Sequence, residues 1–230
     1  MNFWVRVMWD LDMADVMIET LNELAQRRLE SVDEGAALSP LEQSLIAVGL
    51  AASVFSLDAA AIERTMSGAF AAGATVEQVQ EIVTLVSALG VHSLMATSVT
   101  IVRLAVAHGW IRQEKLDDRQ TRLWAKFVGD DPYWATFRNA MPGFLESLIR
   151  LSPDQFEAFF TYCQLPWKTS AVRARTKELV ALACDATPAH RFVPGFLLHL
   201  ENAILIGVGR GAILETLRMA ANASTHRGFG

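Results

Sequence analysis

Apolar residues return every third or fourth position along nearly the whole chain: Val16, Leu21 and Leu24, then Leu45, Val48, Ala52 and Phe55, and later Leu179 and Leu182. That period places them on one face of an α-helix. Alternating β-branched runs bounded by turn pairs, the mark of strands, are missing. The chain is therefore expected to be all-α, a helical bundle of about ten helices. Helix boundaries are readable too. Ser39-Pro40 and Ser152-Pro153 each offer a cap followed by proline at the first helical position, and Gly73 and Gly109 offer stops. Further breaks are expected over Gly129 to Pro132, at Thr187-Pro188 and at Pro194-Gly195.

Composition narrows the function classes. With 230 residues, 52% of them hydrophobic, the chain can bury a large core without a metal or a cross-link. Lys and Arg total 20 against 25 Asp and Glu, a net charge of −5, so no broad basic surface is available for phosphates and nucleic acid is not an expected partner. Cys163 and Cys184 fit neither a redox Cys-x-x-C nor a paired-cysteine zinc site, and they read as reduced packing residues of a cytoplasmic protein. Arg6, Asp10 and Asp12 interrupt the apolar start, so secretion is not expected. Residues 82–102 carry no Lys, Arg, Asp or Glu and are long enough to span a bilayer. They also hold Gly90, His92, three Ser and three Thr, which favours a buried pair of helices meeting near Gly90 and no membrane partner.

Sliding the chain by 134 positions superimposes Leu45 on Leu179, Ala47 on Ala181, Ala69 on Ala203, Gly73 on Gly207, Val79 on Ile213, Glu81 on Glu215, Val83 on Leu217 and His92 on His226, without a gap. Each glycine is followed by a short non-helical step and a new amphipathic helix, which favours duplication over chance matching of Ala and Leu. The shared unit is helix, loop, helix with a small-residue face, glycine turn, helix. The stretches "LSPLEQSLIAVGLAASVF…SGAFAAGATVEQVQEIV" and "RTKELVALACDA…HLENAILIGVGRGAILETLRMAA" resemble the carboxymuconolactone decarboxylase and alkylhydroperoxidase-like superfamily. With that resemblance the chain divides into an N-terminal helical segment (1–36), a first unit (37–110), an aromatic-rich connector (111–169) and a second unit (170–230). Single-unit members of the family resemble ring-like hexamers, so a fused pair implies a homotrimer.

Peroxidase-type members of the superfamily hold two cysteines at a helix N-terminus, with a Glu and a His to move the thiol proton. On this chain the resemblance puts the Glu at Glu178 and the His at His199, while the cysteine positions fall on Phe192 and Gly195. The first unit has Ser44, Asp58, Ala61 and Thr65 at the four places. A disulfide cycle has no thiols to run on, so peroxide reduction is not expected. The decarboxylase branch works on small carboxylated lactones by proton transfer and needs no thiol pair. The resemblance thus implies a cofactor-independent lyase or isomerase of a catabolic pathway, with His199 and Glu178 moving protons on a small carbonyl or lactone acid. The alternative is a non-catalytic oligomeric or small-molecule-binding module with a degenerate site.

His190 and Arg191, between Pro188 and Pro194, offer a second catalytic imidazole and a cation for an anionic substrate. Other readings stand beside these: a lone His in an apolar helix is often a satisfied core residue, Glu178 has Lys177, Arg175 and Arg173 as possible partners, and Arg191 suits a solvated loop. No cofactor is expected. Nor is a metal, because His190, His199 and Glu178 contain no pair at the i, i+4 spacing of a helical metal motif. His92 and His226 mark a second polar position shared by the units. Trp124, Phe127, Tyr133, Trp134, Phe137 and Phe144, followed by Phe156, Phe159, Phe160, Tyr162 and Trp167, either pack the two units together or wall an apolar pocket over His199.

Overall fold

The computed structural model describes residues 18–111 and 115–226. The leader reading over Arg6, Asp10 and Asp12, and Val16 of the first helical pattern, lie outside the described residues. Every regular element among the described residues is helical. In chain order they are α1 (Ile18–Leu29), α2 (Pro40–Ala52), α3 (Ala59–Ala71), α4 (Val76–Ser87), α5 (His92–Ala107), α6 (Asp118–Phe127), α7 (Pro132–Ala140), α8 (Phe144–Leu151), α9 (Pro153–Cys163), the single turn α10 (Leu165–Lys168), α11 (Ala174–Asp185), α12 (Val193–Leu205) and α13 (Arg210–Ala221).

The boundaries follow local chemistry. Ser39 accepts the Glu42 N–H and donates its own N–H to the Glu42 carboxylate, a capping box that starts α2 with Pro40 at its first position. Thr75 and Gln78 repeat the box at α4, and Asp117 and Gln120 at α6. Helices α3 and α12 stop where Gly73 (φ 90°) and Gly207 (φ 82°) adopt the left-handed conformation that glycine tolerates best.

The described chain forms two compact units. One is continuous, Gly90–Gln164, and carries α5 to α9. Its core is aromatic: Phe137, Phe144, Phe156, Phe159 and Phe160 are buried, Trp134 meets Phe160 edge-on at 4.8 Å, and Phe144 meets Phe159 at 5.3 Å. These five pack among one another within that unit. Trp167 lies outside this unit, with the Lys177 ammonium 5.6 Å from its ring.

The segment Val76–Ala107 is long and apolar enough to cross a membrane. A 3₁₀ turn at Ala88–Val91 breaks it into helices of 12 and 16 residues, each shorter than the ~20 residues of a typical span. The expectation of a buried helix pair holds for α4, whose Ile82, Leu85 and Val86 are core residues. It fails for α5, which buries only His92, Ser98 and Val102 and leaves Val99, Ile101 and Leu104 exposed. Ser93, Thr97 and Thr100 are exposed on α5 along with its apolar residues, so the lack of charge in the stretch overstates its burial.

The other unit combines residues 18–89 with 165–226. Here the shift of 134 reappears in the backbone. Helices α3 and α12 begin and end 134 residues apart, as do α4 and α13. Leu57 (φ 38°) and Arg191 (φ 46°) are the non-glycine residues with positive φ among those described, and they too are separated by 134. Helix α2 packs on α11 closely enough that a Cβ at Gly49 would stand 2.6 Å from a Val180 methyl. Two corresponding polar pairs join the halves. Lys177 on α11 meets Glu81 on α4 with Nζ 2.5 Å from Oε1, both buried, and Gln43 on α2 donates to Glu215 on α13 at 2.9 Å in the open. The correspondence ends beyond α4 and α13: His92 starts a helix, whereas His226 lies in coil with its N–H on the Phe55 carbonyl at 3.0 Å.

Candidate active site

Helices α11 and α12 carry the ionisable groups. From Thr176 to Asp185 every residue of α11 is buried, which explains why the run reads as continuously apolar apart from its charged members. Helix α12 starts with Pro194 in its first turn, free of the amide that a helix N-terminus leaves unbonded anyway.

His199 Nδ1 lies 2.7 Å from Glu178 Oε2, and Asn202 Nδ2 donates to Glu178 Oε1 at 3.3 Å. Residues 199 and 202 share a helix face, so one carboxylate engages both. The carboxylate accepts from Nδ1–H, which leaves Nε2 as the ring's other proton position. The His199 side chain is 16% exposed and Glu178 9%. Burial pulls the imidazole pKa down, but the hydrogen bond and charge of Glu178, with the charge of Asp185, outweigh it and raise His199 above its ordinary 6.5. The neighbouring cations are engaged elsewhere: Arg175 with Glu42 at 2.8 Å and Lys177 with Glu81. Of the partners open to Glu178 in the sequence, the structure gives it a histidine.

Asp185 ends α11 and is wholly buried. His190 Nε2 lies 3.5 Å from its Oδ1. The His190 ring stacks on Phe55 at 3.7 Å and on Phe192 at 5.5 Å, near-parallel to both. The loop between the helices is tied down by His190 and Arg191 N–H groups on the Thr187 carbonyl, at 3.0 and 3.1 Å, and by Phe192 N–H on the Asp185 carbonyl at 3.0 Å. Arg191 is exposed on that loop in the left-handed conformation. Thus Glu178 and His199 meet directly, His190 reaches the group through Asp185, and Arg191 stands one residue beyond.

Asp185 and Asn202 were not among the residues singled out from sequence. The signal for Asp185 is faint but present, an acidic residue closing an otherwise apolar run just before Thr187-Pro188; Asn202 is marked only by its i+3 spacing from His199. In the first half the matching positions turn inward on their own helices. Ser44 Oγ donates to the Leu41 carbonyl at 2.8 Å and Thr65 Oγ1 to that of Ala61 at 2.7 Å.

Neither thiol suits redox chemistry. Cys163 is pushed up to about 12 by burial. Cys184 is raised further by complete burial and by the Asp185 charge, against a hydrogen bond to Ser53.

Family models give no match to the chain, and neither do curated proteins. Among solved structures, a protein from Burkholderia xenovorans LB400, provisionally assigned as a gamma-carboxymuconolactone decarboxylase subunit, superimposes with a TM-score of 0.69 at 26% sequence identity. The match covers 96% of this chain and 84% of that one. Together with the all-helical fold, this likeness supports the resemblance to the carboxymuconolactone decarboxylase and alkylhydroperoxidase-like superfamily.

Proposed function

We propose that the protein is a cofactor-independent lyase or isomerase that uses His199 and Glu178 to transfer protons on a small carbonyl or lactone acid. The observation that carries this reading is the 2.7 Å contact between His199 Nδ1 and Glu178 in a largely buried setting. Glu178 fixes the ring and stabilises its protonated form, so an imidazolium is available near neutral pH with Nε2–H as the deliverable proton. In a decarboxylation the bond from carbon to the departing CO₂ breaks, and its electron pair delocalises into a conjugated carbonyl. His199 then supplies the proton that carbon takes up. His190 stands as a second proton carrier backed by Asp185, and Arg191 as an anchor for the substrate's carboxylate. The tandem arrangement is read as a duplication in which the second copy keeps the site. A thiol peroxidase reading is set aside, because the resemblance's cysteine positions are Phe192 and Gly195.

The test is direct: gamma-carboxymuconolactone, the substrate named for the similar structure, is supplied without added metal or cofactor and CO₂ release is followed. Wild type should turn over, and His199→Gln, which keeps size and hydrogen bonding, should lose about 10²-fold or more at unchanged helix content. Equal rates in the two proteins, or no turnover by either across a panel of small lactone and keto acids, would refute the assignment.

A further inference from the structure

Position 195 lies one helical turn before His199 and faces the same way. A side chain there has no room, since a Cβ on Gly195 would stand 2.1 Å from Asp185 Oδ2, 3.0 Å from its Cγ and 2.9 Å from Phe192 Cδ1. The volume that residue 195 would fill beside His199 is taken by a carboxylate from the neighbouring helix. That carboxylate is fully buried, a costly state unless donors or cations face it. His190 is one such group, at 3.5 Å.

The other half of the unit supplies an internal comparison. There the residue matching Asp185 is Ala51 and the residue matching Gly195 is Ala61. Where the carboxylate is gone, the glycine is gone as well. Gly195 is therefore explained by the acid it accommodates rather than by its backbone, which is an ordinary helical one with no positive φ.

We propose that Asp185 is a positioning residue of the site, its carboxylate admitted by Gly195 and held beside the imidazoles of His190 and His199, where it joins Glu178 in keeping the proton on His199. Among the described residues of this unit, few groups face His199. Helix α11 presents Glu178 and Asp185, and the loop presents His190. Helix α12 itself adds the neutral Asn202, and on α1, which also packs against α12, Arg28 is ion-paired with Glu201. The raised affinity of His199 for its proton, to which Asp185 contributes after Glu178, accords with this arrangement. The inference rests on the reading of His199 as the proton carrier, yet its test follows the proton and needs no substrate.

That test is an NMR titration of the full chain with ¹³C,¹⁵N-labelled histidine and aspartate. In the wild type the Asp185 carboxyl carbon should shift at the midpoint of His199. Asp185→Asn should lower that midpoint by about 1 pH unit, Gly195→Ala should lower it too by displacing the carboxylate, and Glu215→Gln, at an exposed carboxylate, should leave it in place. A folded Asp185→Asn protein with an unchanged His199 midpoint overturns the proposal. Should that variant not fold, the wild-type spectrum decides: an Asp185 carbon without an inflection at the His199 midpoint also overturns it. Failure of the decarboxylation assay with these titration results intact would remove the proposed reaction and leave the role of Asp185 standing.

Discussion

The Lys177–Glu81 pair offers a sharp test of how this fold handles buried charge. Their side chains are only 3% and 4% exposed. Lys177 Nζ also donates to the carbonyls of Pro166 at 2.5 Å and Thr169 at 3.1 Å, while Glu81 accepts from the Thr169 hydroxyl and from Val172 N–H at 3.3 Å. Lys177→Met keeps the apolar stem and removes the charge and its donors, leaving Glu81 uncompensated in a dry site. Breaking one half of such a pair costs about 3–5 kcal/mol. At about 2–4 °C per kcal/mol for a chain of this length, the melting temperature should fall by about 6–20 °C. The double variant Lys177→Met/Glu81→Leu should recover most of that loss, because neither charge is then buried. The corresponding Gln43–Glu215 pair is exposed, so Gln43→Met should cost less than about 0.5 kcal/mol.

The pH dependence has a definite sign. Burial pushes the Glu81 carboxyl up, but its hydrogen bonds to Lys177 and Thr169 and the lysine charge outweigh this and hold it below the ordinary 4.5. A depressed carboxyl stabilises the fold above its unfolded pKa and loses that contribution as pH falls through the lower, folded value. In Lys177→Met the opposing cation is gone, burial dominates, and protonation of Glu81 relieves the strain. The deficit should therefore narrow as pH is lowered from 7 to about 5, well before the wild-type contribution is lost. Urea unfolding followed by helical circular dichroism at both pH values measures it. A deficit under about 1 kcal/mol at pH 7, or one that ignores pH, would refute the reasoning.

Other outcomes are equally specific. Gly73→Ala and Gly207→Ala meet no atom within 4 Å, so each should cost only the left-handed backbone penalty of about 1–2 kcal/mol, alike at both sites in chemical denaturation; a markedly unequal pair would show that packing, not φ, selects these glycines. Cys163 and Cys184 should react slowly with a thiol reagent at pH 7.5 in the native protein and fast in urea, and Cys184→Ser should cost about 1 kcal/mol without affecting turnover. A rapid native equivalent would contradict their protonated state. The homotrimer expected from the family resemblance is tested by light scattering at micromolar concentration, where exposed Val76, Leu205 and Ile206 supply apolar surface; a monomer would count against it.

Much of the fold was legible because its signals are local. Ser39-Pro40, Gly73, Ser152-Pro153 and Gly207 act within one turn of chain, and the structure places helix ends beside each. The apolar period gave the class for the same reason. The orientation of α5 was not legible: residues 82–102 are uniformly uncharged, and only tertiary packing decides that Ile82 turns inward while Ile101 faces out. At the site, Glu178 and His199 stood out as polar residues within apolar helical runs. Asp185 escaped notice because its meaning depends on the missing side chain of Gly195, ten positions along and on another helix. A contact between elements leaves no trace in the spacing within either.

The discontinuity of the site-bearing unit has a consequence for how the protein is made. The chain leaves that unit after Leu89 and re-enters it at Leu165, with the aromatic unit in between. Helix α2 must wait for α11, its packing partner 134 positions downstream, before Val180 closes on Gly49. At about 5–20 residues per second of synthesis the wait is roughly 7–27 s, during which residues 90–164, whose contacts are local, are free to close on themselves. The half that ends at Leu89 thus waits on the ribosome without the helix that packs on α2. Slowed translation ahead of α11 should lengthen that wait and raise the yield of aggregate.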